Sequence, residues 1–349
     1  MSLTYRTKRR LQRAGLIGLI VLLVVILAGF CWVIWLERYV VYTRDGATLN
    51  FEWREPAGAG QLALPPSAGE TVPIYVNEGM DAIDLNRELS QMNGYYIDGD
   101  TLQNDVAGAR DIVASLPANT AVMVELKSIW GQFNCSTNVS NKTISNRVDT
   151  TQVDKLITDI TSRNLYAVAV IPAFRDRYFF LISNSNTSMG LAIPKKGYLW
   201  QDDDNCYWFD PTDNDALQRL QEIVTELKAL GFDEVVFSEF RIPNTDRINF
   251  KEDKTEAIKK AAQTLVANCA TETFAVSFLV DDSKFPMPDG RSRLYLNNVG
   301  PKNVGAVAAL LDFPNPQAQL VFMCNTNDTR YDEYSVMRPI TMGASNANK

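Results

Sequence analysis

The sequence predicts an α/β protein, a (β/α)₈ TIM-like barrel preceded by one N-terminal transmembrane helix. Three observations carry that prediction. Apolar runs of β-forming residues alternate with amphipathic helical segments from Val72 onward. Eight strand candidates fall within about 270 residues, the size of a parallel barrel. Ahead of them, Gly15 to Leu36 (GLIGLIVLLVVILAGFCWVIWL) is an uncharged apolar run.

As a helix that run measures roughly 33 Å, enough to span a bilayer. Residues 1–14 form a basic tail with Arg6, Lys8, Arg9, Arg10 and Arg13 and no acid. The positive-inside bias therefore places the N-terminus in the cytoplasm and the remainder outside it. A cleaved signal peptide is the rival reading, but its apolar core is ordinarily shorter and ends in small residues. In Ala28-Gly29-Phe30-Cys31, bulky Phe30 occupies the position where a small residue precedes a lipoprotein cysteine. Residues 37–70 are expected to be an extracytoplasmic stalk rich in Gly, Ala and Pro, with a short hairpin around Asp45-Gly46. The barrel is expected over residues 71–342.

Its strands are expected at Val72–Val76, Gly94–Asp98, Ala121–Lys127, Tyr166–Phe174, Glu234–Glu239, Phe274–Val280, Ala306–Asp312 and Leu320–Asn325. These are near-continuous apolar runs, as in sheets buried on both faces. Between Asp215 and Leu230, Leu217, Leu220, Ile223, Val224, Leu227 and Leu230 follow helical spacing. Asp213 or Asn214 can cap that helix and Gly231 can end it. Lys254–Cys269 repeats the pattern. An open doubly wound sheet is the alternative arrangement, but no GxGxxG or P-loop supports a nucleotide role.

Composition narrows the chemistry. The chain has 349 residues, 46% hydrophobic, and no histidine. That excludes Ser-His-Asp and Cys-His catalysis, HExxH zinc chemistry and any histidine base. Beyond the five basic residues of the tail, 29 basic residues stand against 41 acidic ones, a net charge near −12. Such a surface repels phosphate backbones, so no nucleic-acid partner is expected. Cys135, Cys206, Cys269 and Cys324 are four cysteines beyond the apolar run, compatible with two disulfides or with buried thiols. No metal site and no cofactor are expected. Five Asn-x-Ser/Thr sites, at Asn134, Asn138, Asn141, Asn186 and Asn327, mark polar surface loops.

An enzyme without histidine must use carboxylates, and barrels place catalytic groups at the carboxyl ends of their strands. Those ends read Glu78, Asp98 and Asp100, Glu125 and Lys127, Arg175-Asp176, Glu239 and Arg241, Asp281-Asp282, and Asp312. Paired carboxyls suffice for glycoside cleavage, one protonated to assist the leaving oxygen and one ionised. Glu125 and Glu239 are the expected pair. The loop Gly197 to Asp213 (GYLWQDDDNCYWFDPTD) offers Trp200 and Trp208 for stacking on sugar rings, or for a mini-core of its own. Its acid run lacks the spacing of a calcium loop. Arg175, Asp176, Arg241, Lys127, Asp210 and Asp281 complete the expected substrate-binding set.

The order WQDDDNCYWFDP, a helix, then LGFDEVVFSEFRIP resembles the glycoside-hydrolase barrel family of bacterial extracellular proteins, distantly similar to α-amylase-type enzymes. Gly231-Phe232-Asp233-Glu234, Phe237, Arg241 and Pro243 match that family's strand pattern. Val124-Glu125-Leu126-Lys127 and Phe174-Arg175-Asp176 resemble two of its other strand ends. The resemblance implies a membrane-anchored extracytoplasmic barrel acting on a polysaccharide or cell-wall glycan, its carbohydrate partner. Two departures fall at the site. Ser238-Glu239 stands where the family has Asp-Tyr, and Ser128-Ile129 where it has acids. A barrel that binds wall glycan or an envelope protein without hydrolysis is therefore the alternative. One step along a strand reverses side-chain direction, so Glu239 does not inherit the family position unless a bulge at the strand's end re-aims it.

Overall fold

The structure, a computed structural model, describes residues 40–43, 46–49, 89–183, 187–281 and 284–341. The chain divides into two compact units at Met80/Asp81. In the first, Val40–Thr43 and Gly46–Leu49 pair antiparallel with Thr43 opposite Gly46, the expected hairpin. The apolar run 15–36 and the expected strand Val72–Val76 with Glu78 lie outside the described residues. Among the described residues no helix is long and apolar enough to cross a membrane.

The second unit is a closed barrel of eight parallel strands. They are β1 Asn93–Ile97, β2 Ala121–Glu125, β3 Tyr166–Pro172, β4 Glu234–Ser238, β5 Ala275–Val280, β6 Leu294–Leu296, β7 Leu320–Met323 and β8 Ser335–Pro339. Each pairs with the next in sequence, and β8 closes on β1 with Arg338 beside Tyr95. Helices α1 Gly99–Asn104 and α2 Val106–Ser115 follow β1, and α3 Thr150–Thr161 follows β2. The β3–β4 connection carries α4 Tyr178–Ile182 and α5 Asn214–Ala229. Helix α6 Lys254–Cys269 follows β4, and α7 Val304–Leu311 and α8 Pro316–Gln319 lead to β7.

Side-chain alternation divides the core in two. Met123, Val168, Val170, Val236, Tyr295, Val321 and Met337 fill the barrel interior. Their neighbours Val122, Val124, Ala169, Val235 and Phe322 face outward into the layer shared with the helices. There α5 buries Leu217, Leu220, Ile223, Val224 and Leu227, each contributing roughly 1.5–3 kcal/mol by leaving water. Asp213 caps that helix by accepting the Ala216 N–H, and Gly231, at φ 88°, turns the chain into β4.

The interior closes at the amino end of the strands with a buried ion pair. Arg293 Nη1 lies 2.5 Å from Glu234 Oε2, and Tyr166 Oη bridges both. Arg293 also donates to the carbonyls of Ala318 and Ser90. Desolvating two charges costs several kcal/mol, which these hydrogen bonds offset.

Three expectations are corrected. Ala306–Asp312 is not a strand; it falls in α7, whose alanines and leucines suit either state and which Asp312 ends in a left-handed conformation (φ 49°). Strands β6 and β8 were not anticipated; β6 is too short for a periodic signal, and β8 is hidden by Arg338-Pro339. All four cysteines are buried free thiols, so the disulfide alternative falls.

Candidate active site

Alternation along β2 sets the first carboxyl. Ala121 and Met123 point into the barrel, so Glu125, two residues on, points inward at its carboxyl end. Asn134 Nδ2 donates to the Glu125 carbonyl at 2.9 Å and fixes the strand end. Asn134 is 3% exposed, so the expectation of a surface glycosylation loop fails there. The Gly99 N–H donates to Glu125 Oε2 at 2.9 Å. Burial raises the Glu125 pKa; that N–H pulls it down, and the charges of Asp98 and Asp100 raise it further, with a net shift upward.

The second carboxyl depends on a kink. Val236 points into the barrel, and by alternation so does Ser238; an extended Glu239 would point away. Glu239 instead has φ 49°, a left-handed conformation that ends β4 and breaks the alternation. Ser238, Glu239 and Glu125 consequently line one cleft of about 700 Å³, together with Arg241 and Asp281. The Glu239 carboxylate lies 3.0 Å from Arg241 Nη2 and 3.5 Å from Arg175 Nη1.

Arg175 is held from behind. Arg175-Asp176 pairs antiparallel with Tyr207-Trp208, and its buried guanidinium contacts Asp202 at 2.7 Å and Asp204 at 2.5 Å. Burial opposes ionisation of Asp202, but hydrogen bonds from Arg175, the Cys206 N–H and the Trp208 indole outweigh it and lower its pKa. The acid run thus holds an arginine, through Asp202 and Asp204. Among the described residues no group of three or more metal-ligating side chains converges.

Several expected substrate contacts turn inward. Trp208 is 2% exposed, its indole N–H on Asp202 and its ring beneath Arg241 at 4.8 Å and Arg175 at 5.9 Å. Its faces are taken by guanidinia rather than left for a sugar. Trp200 is half-buried against the core, while Phe179, Phe180, Tyr207 and Phe209 form the loop's own aromatic cluster. Lys127 and Asp176 are 1% and 0% exposed and pair with each other at 2.8 Å. The Asp176 carboxylate also caps α4 at the Phe179 N–H and fills the space beside Gly131, where a Cβ would overlap it. Asp210 accepts from the Thr212 N–H and hydroxyl, a turn ahead of α5.

A second cleft, of about 460 Å³, meets the first at Glu125 and carries Tyr96, Asp98, Asn297, Asn298 and Asn325. Tyr96 Oη donates to Asn325 Oδ1 at 3.0 Å. A third, of about 510 Å³, also reaches Glu125 and is lined by Asp100, Trp130, Arg147 and Arg177. Asn297 and Asn298 escaped the sequence reading because they follow the unanticipated β6. The adjacent amides after Tyr295-Leu296 were their only signal.

No curated protein matches the chain. Among solved structures, a hypothetical protein from Ruminiclostridium thermocellum is similar over 52% of this chain and 96% of its own, at 22% identity and TM-score 0.44. A GH36 α-galactosidase from Geobacillus stearothermophilus is similar over 76% of this chain at 9% identity and TM-score 0.49. A GH20 exo-β-N-acetylglucosaminidase from Vibrio harveyi is similar over 67% at 10% identity and TM-score 0.46. The chain spans 43% and 41% of the lengths of those two enzymes. Residues 94–280, more than half of the chain and the stretch from β1 to β5, match the family model described as "Putative glycosyl hydrolase domain". The chain belongs to that glycosyl hydrolase domain family.

Proposed function

We propose that the protein is a glycosidase using Glu125 as general acid and Glu239 as its ionised partner, acting on a polysaccharide or cell-wall glycan. What supports the reading is the asymmetry of two carboxyls that share one cleft. Glu125 is biased toward its protonated form by burial and by Asp98 and Asp100. Glu239 stands between the guanidinia of Arg175 and Arg241. A carboxyl biased toward its protonated form, facing another held by two guanidinia, suits a division of acid and base roles. Glu125 then gives its proton to the glycosidic oxygen as the C–O bond breaks. Glu239 either attacks the anomeric carbon or takes a proton from the attacking water. The water's oxygen ends on that carbon and keeps one proton as the new hydroxyl; the other proton restores Glu125, directly or by way of Glu239 and solvent, and Glu239 ends ionised as it began. The uncharged run at 15–36, with its basic tail, supports an anchored enzyme facing outward.

A barrel that binds glycan without cutting it is the second reading, favoured by Ser238 at the inward position where the family strand carries an acid. The two separate on one assay. The full chain in detergent micelles, tested on wall glycans and storage polysaccharides, is expected to release sugars, and its Glu239→Gln form at least about 100-fold fewer. Equal binding by both forms with no turnover by either selects the silent barrel.

A further inference from the structure

Glu125 is the common wall of the clefts at the barrel mouth, and strand order sets two of them on opposite sides of it. The cleft with Glu239 is built chiefly from the carboxyl ends of β3, β4 and β5 and from the loops after β4 and β5. The cleft with Trp130 is built chiefly from the loops that follow β1 and β2, with Arg177 and Tyr178 added from the connection after β3. Glu125 ends β2, between the two groups. The loop behind it serves both, since Ile129 lines the Glu239 side while Ser128 and Trp130 line the other. A site for a single terminal sugar needs one closed pocket ending at the acid. Here open space continues past the acid instead.

That continuation is furnished for a polar ligand. Trp130 is 40% exposed, one of few large apolar side chains left in water among the described residues. Its loop is fixed, because the Trp130 carbonyl accepts from the N–H groups of Arg177 and Tyr178 at 2.8 and 3.1 Å. Arg147, Arg177 and Gln132 supply donors around it. A ring face beside fixed donors is what a sugar unit requires, apolar C–H on one side and hydroxyls on the other.

We propose that the protein binds an extended glycan chain across Glu125, with sugar units on the Trp130 side as well as the Glu239 side, and cuts it internally. This rests on the glycosidase reading of the site and adds the form of its substrate.

The test is calorimetric binding to full chain carrying Glu125→Gln, using chito-, cello- and malto-oligosaccharides of one to six units. In the series that binds, affinity is expected to rise at least about tenfold from the dimer to the hexamer. Adding Trp130→Ala is expected to abolish that gain while changing dimer affinity less than about twofold. The unsubstituted protein is expected to convert the hexamer first to internal fragments. Affinity that levels off at the dimer, a hexamer indifferent to Trp130→Ala, or release of single terminal units alone overturns the extended site and leaves the glycosidase reading standing. Binding by none of the three series overturns both.

Discussion

At the scale of single residues, Glu125 is where the proposed function and stability conflict. Its raised pKa means that the folded protein holds the proton more tightly than the unfolded chain does. Stability is then lost as pH rises from the ordinary glutamate value through the raised one, the reverse of a salt-bridged acid. Glu125→Gln keeps an acceptor for the Gly99 N–H and removes the charge. Its melting temperature is expected to exceed that of the unsubstituted protein at pH 7–8, with the gap closing below about pH 4. Thermal unfolding followed across that range checks this, and an equal or lower melting temperature at neutral pH would contradict it. Other residues show why type alone misleads. Lys127, Asp176 and Trp208 are chemically suited to bind sugar, yet each is spent on the loop that supports Arg175. Nothing in their identities distinguishes the two uses; only burial does.

At the scale of elements, the end of β4 decides whether the site has one carboxyl or two. Two-residue periodicity alone points Ser238 inward and Glu239 outward, and the left-handed turn at Glu239 overrides it. A non-glycine residue there carries strain of about 1–3 kcal/mol, held by the surrounding structure. Replacing Glu239 with Gly or Ala removes the same two ion pairs, so the difference between the variants reads the backbone alone. Glu239→Gly is expected to be more stable than Glu239→Ala by about 1 kcal/mol in denaturant unfolding. An extended residue at a strand end would give the opposite order, Gly being the weaker by about 0.5–1 kcal/mol. The long, regular elements were legible from sequence. Lys254–Cys269 runs between the boundaries its periodicity indicates, and six of the eight strands coincide with apolar runs. The kink was not, because it is a backbone state of one residue with no periodic signature.

At the scale of the molecule, the barrel and the location of its site were readable while its rim was only half so. Six of the eight parallel strands follow from apolar runs that alternate with helices, and the candidate site follows from where barrels keep their chemistry. Strands β6 and β8 are short or end at proline, and with β6 the amide-rich flank at Asn297 and Asn298 was lost to sequence reading. Glu125 and Glu239 line one cleft, and the division of roles proposed for them is the central claim. The most direct measurement compares Glu125→Gln and Glu239→Gln on two glycosides of one sugar, a dinitrophenyl glycoside and a natural disaccharide. A dinitrophenolate leaves without a proton, so the loss of an acid should matter only for the disaccharide. Glu125→Gln is predicted to lose at least about 100-fold on the disaccharide but less than about tenfold on the dinitrophenyl glycoside, and Glu239→Gln to lose heavily on both. Equal losses for Glu125→Gln on both substrates, or full activity in Glu239→Gln, would contradict the assignment.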